Sequence, residues 1–167
     1  MKVTRFDADR DLIIVTGRVW GPHGRQWRPL RLVLDTGAAE TIILPEVLDE
    51  LGYSPSQGEA ITVMRSAVGR EEGYLIRVTR FTCLGYQAGD FRVHAHDLPE
   101  GWGIEGLIGL SFLKQLNYEV RSVEGRILVR RAVTDAVRAR TPRRPTRSGR
   151  LRGSLRNRPG GTPEQPI

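Results

Sequence analysis

A carboxylate sits where two apolar segments meet. In RLVLDTGAAETIILP the run Leu32–Leu34 stops at Asp35-Thr36-Gly37, and a second run, Ile42–Leu44, soon follows. An isolated Asp-Thr-Gly after a strand is an ordinary turn, in which Asp bonds its own backbone and Gly relaxes the chain. Two features suggest an acid held there for chemistry. Ala38 and Ala39 are small and leave the backbone accessible. A matching apolar-apolar-Gly segment, Leu107-Ile108-Gly109, lies downstream and also leads into a helical pattern. The other chemistry-bearing residues have blander readings. His94 and His96 are alternate residues of one strand pattern and could share a metal, but His23 is the only other histidine. They read as part of a solvated strand face with Arg92, and neither a metal nor another cofactor is expected. Cys83 lies in RFTCLG with no histidine beside it, and reads as a small core residue rather than a nucleophile.

The segments that must position Asp35 are mostly short strands. DLIIVTGRVW is rich in β-branched residues, GPHGRQ breaks it, and WRPLRLVL follows as an antiparallel partner. Trp20 and Trp27 are expected to pack about this hairpin, and Trp102 to border a cleft. After the acid comes a short helix, PEVLDELG, with Pro45 in its first turn, Glu46 at its positive end and Gly52 as its stop. Val47 and Leu51 give it one apolar face. AITVMRSAVGREEGYLIRVTRFTCLG reads as a long hairpin with its tip near Val68-Gly69-Arg70. DFRVHAHDL alternates, with Phe91, Val93 and Ala95 on one face and Arg92, His94 and His96 on the other. IEGLIGLSFLKQLN is an apolar loop and a short helix for which Ser111 is the expected N-cap. YEVRSVEGRILVRR closes the domain as a hairpin. Many short strands with two minor helices predict an all-β barrel or sandwich.

A chain of 167 residues fits one domain with a real core. Its formal charge of +7 suggests a nucleic-acid binder until the chain is divided. From Arg131 to Ile167 there are ten arginines and two acids, a net of +8. Residues 1–130 keep 16 basic and 17 acidic residues, a net of −1. Basicity therefore belongs to the tail, which is rich in Arg, Pro, Gly and Ser, has no aromatic residue and is expected to be disordered. The expected organisation is a domain over 1–131 and a tail over 132–167. The tail reads first as a solvated terminus, with weak polyanion contact and exposure to proteolytic cleavage as alternatives. Sequence-specific nucleic-acid recognition is not expected of it. One cysteine permits no intramolecular disulfide, and neither a signal peptide nor a transmembrane run is visible, so a soluble cytoplasmic protein is expected.

In this order LVLDTGAAET, MRSAVGREEG and GLIGLSFL resemble the retropepsin-like aspartic proteases, including their bacterial, single-lobed, Asp-Thr-Gly members. The resemblance spans roughly residues 10–131 and implies a single-lobe β-barrel with one or two short helices. It implies an aspartic endopeptidase, in which a water between two carboxylates attacks a peptide bond. One carboxylate takes the water's proton and the other, protonated, polarises the carbonyl. The sequence has one Asp-Thr-Gly, so the resemblance implies a homodimer with Asp35 from each subunit at the two-fold axis. By the same resemblance Thr36 would bond across that axis and Gly37 would permit close approach. Ala38 and Ala39 would border a polypeptide substrate, and Ala67, Val68 and Gly69 would form the flap tip. Ile104 and Leu107 would line side-chain pockets, with Ile108 and Gly109 supporting the acid.

Some positions depart from viral members. Ala39 stands where those carry an acid and Leu110 where they carry an arginine, so the ion pair that braces the viral dimer is absent. Charged Arg70, Glu71 and Glu72 flank the flap tip, and a long tail follows the last strand. Dimer contacts would then be arranged differently or completed by a partner. The alternative is a non-catalytic domain of the same fold that binds a peptide or partner, with a polyanion-binding tail.

Overall fold

Alternation of inward and outward side chains builds a barrel from these segments. The structure, a computed structural model, describes residues 1–66 and 69–132, without the side chains of 64–71. Strand β1 (Lys2–Arg5) precedes β2 (Ile14–Trp20), in which Val15, Gly17 and Val19 turn inward while Thr16 and Arg18 face out. Gly17 is required there, because a Cβ would lie 2.6 Å from Leu32 Cδ1. Strand β3 (Trp27–Leu34) pairs antiparallel with β2 from Ile14↔Val33 to Trp20↔Trp27. The indoles of that last pair have centroids 6.1 Å apart, as expected of a hairpin packing about its two tryptophans.

Strand β4 (Ile42–Ile43) is followed by helix α1 (Pro45–Glu50). Pro45 opens the helix, Glu46 is in its first turn, and Gly52 ends it at φ +89°. Val47, Leu48 and Leu51 are buried. Strand β5 (Ala60–Ser66) and the 15-residue β6 (Gly69–Cys83) form the long hairpin. Ser66 pairs with Gly69, and the expected tip residues Ala67 and Val68 lie outside the described residues. Strand β7 (Tyr86–Ala95) returns along β6, then come β8 (Gly106–Ile108), α2 (Leu110–Leu113), β9 (Leu116–Arg121) and β10 (Arg126–Arg131).

The order β2-β3-β8-β4-β7-β6-β5, with an added β2–β6 pairing, closes the sheet on itself. One end of β6 carries β5, while Arg80, Phe81 and Thr82 reach β2. This closure makes the expected barrel and leaves few free strand edges. Its core includes Phe81, Phe91 and Phe112, whose ring centroids lie 5.2–5.6 Å apart. Phe112 thereby ties α2 to the barrel, and such aromatic pairs add about 0.5–1.5 kcal/mol each beyond area burial. Cys83 is in this core, and burial pushes its thiol up to about 12, which removes it as a nucleophile.

A second sheet, β1-β10-β9, places β10 between two antiparallel neighbours. The expected disordered tail, apart from Ala132, lies outside the described residues. No helix among the described residues is long and apolar enough to cross a membrane.

Candidate active site

The acid lies where β3 meets an inserted strand. β8 runs parallel to β3, with Leu32↔Gly106, Val33↔Leu107 and Leu34↔Ile108. On its other side it runs antiparallel to β4, with Ile42↔Leu107 and Ile43↔Gly106. The segment 35–41, which joins β3 to β4, must therefore arch over the end of β8. Asp35 is the first residue of that arch, and its N–H donates to Ile108 O at 3.1 Å.

The arch is held by main chain. Asp35 Oδ1 accepts from Gly37 N at 2.9 Å and Ala38 N at 3.2 Å, an Asx-turn that fixes the carboxylate. Leu110 N donates to Ala38 O at 2.9 Å and Ser111 N to Ala39 O at 2.8 Å. Gly109 lies flat beneath the arch. A Cβ there would be 2.2 Å from Glu40 O and 2.9 Å from Ala38 O, so only glycine fits. Thus Asp35 is brought to Ile108 and Gly109, 73 and 74 positions further along the chain, by one strand insertion.

Two side chains complete the clamp. Thr41 is fully buried, and its Oγ1 accepts from Gly109 N at 3.2 Å and from Ser111 Oγ at 3.0 Å. Its own N–H donates to Ser111 Oγ at 2.9 Å, and its carbonyl accepts from His94 N at 2.9 Å. Ser111 is therefore not the expected N-cap. Gly109 holds that position, and the Ser111 hydroxyl is engaged by Thr41 rather than by the first turn of α2. The signal available in the sequence was the placement of two hydroxyls directly after the two glycine-bearing loops.

The remaining candidates occupy different settings. Thr36, Gly37 and Ala39 are exposed, Asp35, Ala38 and Leu107 half-buried, and Ile104, Ile108 and Gly109 buried. Ala67 and Val68 lie outside the described residues, and Gly69 is the first residue of β6. The expected solvated face of His94 and His96 is corrected by the fold. β7 ends at Ala95, so alternation stops and His96 turns inward, fully buried, with Nε2 2.8 Å from Thr62 Oγ1. His94 is half-buried, its ring stacked 6.2 Å from that of His96. Burial lowers its pKa, Glu40 opposes that effect and Arg92 reinforces it. No group of three or more metal-ligating side chains occurs among the described residues. Trp102 is exposed.

Among known proteins, a family model described as aspartyl protease matches residues 15–112. The fold is similar to the crystal structure of a retropepsin-like aspartic protease from Rickettsia conorii, with a TM-score of 0.56 at 17% identity, over 75% of this chain and 96% of that one. It is also similar to the EIAV protease complexed with the inhibitor HBY-793, with a TM-score of 0.46 at 18% identity, over 64% of this chain and 88% of that one. No curated protein matches the sequence.

Proposed function

The chain belongs to the aspartyl protease family, and from that premise we propose that it is an aspartic endopeptidase whose catalytic acid is Asp35. The observation that carries the reading is the setting of that carboxylate. It is half-buried, fixed by two main-chain N–H groups, and engaged in no ion pair among the described residues. One of its oxygens, Oδ1, is engaged by the Asx-turn, and the arch places no cation against the other among the described residues.

One carboxylate cannot both accept the water's proton and donate one to the substrate carbonyl. The active form is therefore a homodimer, with Asp35 from each chain flanking one water. The ionised carboxylate removes a proton as the water's oxygen bonds to the peptide carbon. The protonated carboxylate passes its proton to the carbonyl oxygen, giving a neutral gem-diol. Collapse breaks the C–N bond, and a proton returns to the departing nitrogen. Thr36 bonds across the axis, and Gly37 admits the partner's backbone. Ala38 and Ala39 border an extended peptide, and Ile104 and Leu107 line side-chain pockets. The tip Ala67-Val68-Gly69 closes over the peptide and excludes water. Ile108 and Gly109 hold the acid from below. The protease domain is assigned to 1–131, with 132–167 as an Arg-, Pro- and Gly-rich tail whose first reading is a solvated terminus. A cytoplasmic location is proposed on the single, buried cysteine.

Asp35→Asn is the test. The Asn oxygen can still accept from Gly37 and Ala38, so the arch should survive while the ionisable group is lost. Peptide cleavage should fall about 10³-fold or more, with Tm close to wild type. Undiminished cleavage would contradict the assignment. Activity of the wild type should be bell-shaped in pH, because one acid of the pair must be ionised and the other protonated.

A further inference from the structure

The outer face of β3, β2 and β6 carries an arrangement that proteolysis does not use. Register places Thr16, Arg18 and Trp20 of β2 on one face with Trp27, Pro29 and Arg31 of β3 and with Arg80 and Thr82 of β6. No acid stands at any of these positions. The Arg18 guanidinium lies over the Trp27 ring at 4.9 Å and that of Arg80 over the Trp20 ring at 4.8 Å. The two indoles stand between them, so the face carries an Arg-Trp-Trp-Arg ladder.

Three observations make this face a binding surface. First, Arg18, Arg31 and Arg80 form no ion pair among the described residues, whereas Arg28, Arg77, Arg92 and Arg121 elsewhere on the barrel do. In a domain whose net charge is about neutral, this puts three cations without an ion pair on one face. Second, further cationic and aromatic residues lie near both ends of the face. A hollow of about 590 Å³ at the hairpin tip adds His23 and Arg25. At the other end Arg31 lies against Gly103, next to the half-exposed Trp102. All three tryptophans of the chain therefore belong to this region or adjoin it. Third, at Arg18, Val19 and Trp20 strand β2 is paired on both sides, to β3 and to β6, so the centre of the ladder has no free main chain with which to add a peptide strand. Recognition there runs through planar side chains and charge.

We propose that this face binds single-stranded nucleic acid without sequence preference. Guanidinium groups held flat by indoles offer N–H donors to phosphates and outer planes on which bases stack. An acidic polypeptide would use the charge but leave the aromatic ladder without a purpose. The chain's own Arg-rich tail has the wrong sign to occupy the face. The inference is independent of the role given to Asp35.

The tail contains no tryptophan, so intrinsic fluorescence of the full chain isolates the face. Titration with an oligothymidylate of about 20 nucleotides should give saturable tryptophan quenching. In the Arg18→Ala/Arg80→Ala variant the midpoint should rise about tenfold, and the slope of log affinity against log salt should shrink by about 1.4, at about 0.7 per lost contact. If that variant fails to fold by circular dichroism, Arg18→Lys/Arg80→Lys serves instead: it should weaken binding while keeping the salt slope. Polyglutamate and polyphosphate of matched charge should quench less. Equal quenching by polyglutamate would mean an acidic protein partner, and equal quenching by polyphosphate a site that reads no bases; either overturns the proposal. Binding of labelled oligonucleotide with unchanged tryptophan fluorescence would place every contact on the tail and overturn it as well.

Discussion

Strand β3 serves two regions built on opposite principles. Its C-terminal end delivers Asp35 into an arch whose shape is set by main-chain hydrogen bonds and by one glycine with no room for a Cβ. Its other half presents Trp27 and Arg31 outward, where side chains stack in solvent. The inner region tolerates no Cβ at Gly109, because the carbonyls of Glu40 and Ala38 lie directly against it. The outer region is defined by register and can lose a side chain without moving the chain. Catalytic geometry is thus expected to be fragile and the outer face robust, a difference that substitutions can break or sharpen.

Gly109→Ala should have the largest effect. The new methyl cannot fit against Glu40 O without moving either the arch or β8, at a cost of about 3 kcal/mol or more. Denaturant unfolding should show that loss, and cleavage of a model peptide should fall with it. A stable, active Gly109→Ala protein would mean that the two loops are not stacked as described. Thr41→Val should come next. It keeps the shape but leaves Gly109 N unpaired in a buried place, costing about 1–3 kcal/mol. Its kcat should fall more than its KM changes, since Thr41 positions the arch and touches no substrate. Arg18→Ala should be the mildest. An exposed cation–π contact contributes about 0.5–1 kcal/mol, so Tm should shift little and cleavage should stay at the wild-type rate. Destabilisation by Arg18→Ala comparable to that by Thr41→Val would erase the distinction between the regions.

Much of this was legible in the sequence wherever signals were local. The β2–β3 hairpin, helix α1 with its Pro45 start and Gly52 stop, and the long β5–β6 hairpin follow from alternation, turn residues and caps. Asp35 stands out in the sequence only together with its small flanks and the matching Leu107-Ile108-Gly109, since Asp-Thr-Gly alone reads as a turn. Features that depend on distant partners were not legible. Ser111 has a plausible local role as an N-cap, and only the insertion of β8 brings it to Thr41, 70 positions away. His96 continues the alternation of β7 on paper, but the strand stops at Ala95 and the ring turns in toward Thr62 of β5. Strand β1 carries almost no signal in Lys-Val-Thr-Arg and exists because β10 offers an edge. The joining of β2 to β6, which closes the barrel and assembles the Arg-Trp ladder, is likewise a property of topology rather than of any segment.

A subunit-mixing measurement tests the central claim most directly, because it asks whether two Asp35 carboxylates make one site. A fixed amount of wild-type chain is equilibrated with an equal amount of Asp35→Asn chain, and peptide cleavage is followed. If each site needs an Asp35 from both subunits, random pairing leaves the mixture with about half the activity of the wild type alone, and further Asp35→Asn chain drives it toward zero. Activity that stays constant as the inactive chain is added would contradict a shared site.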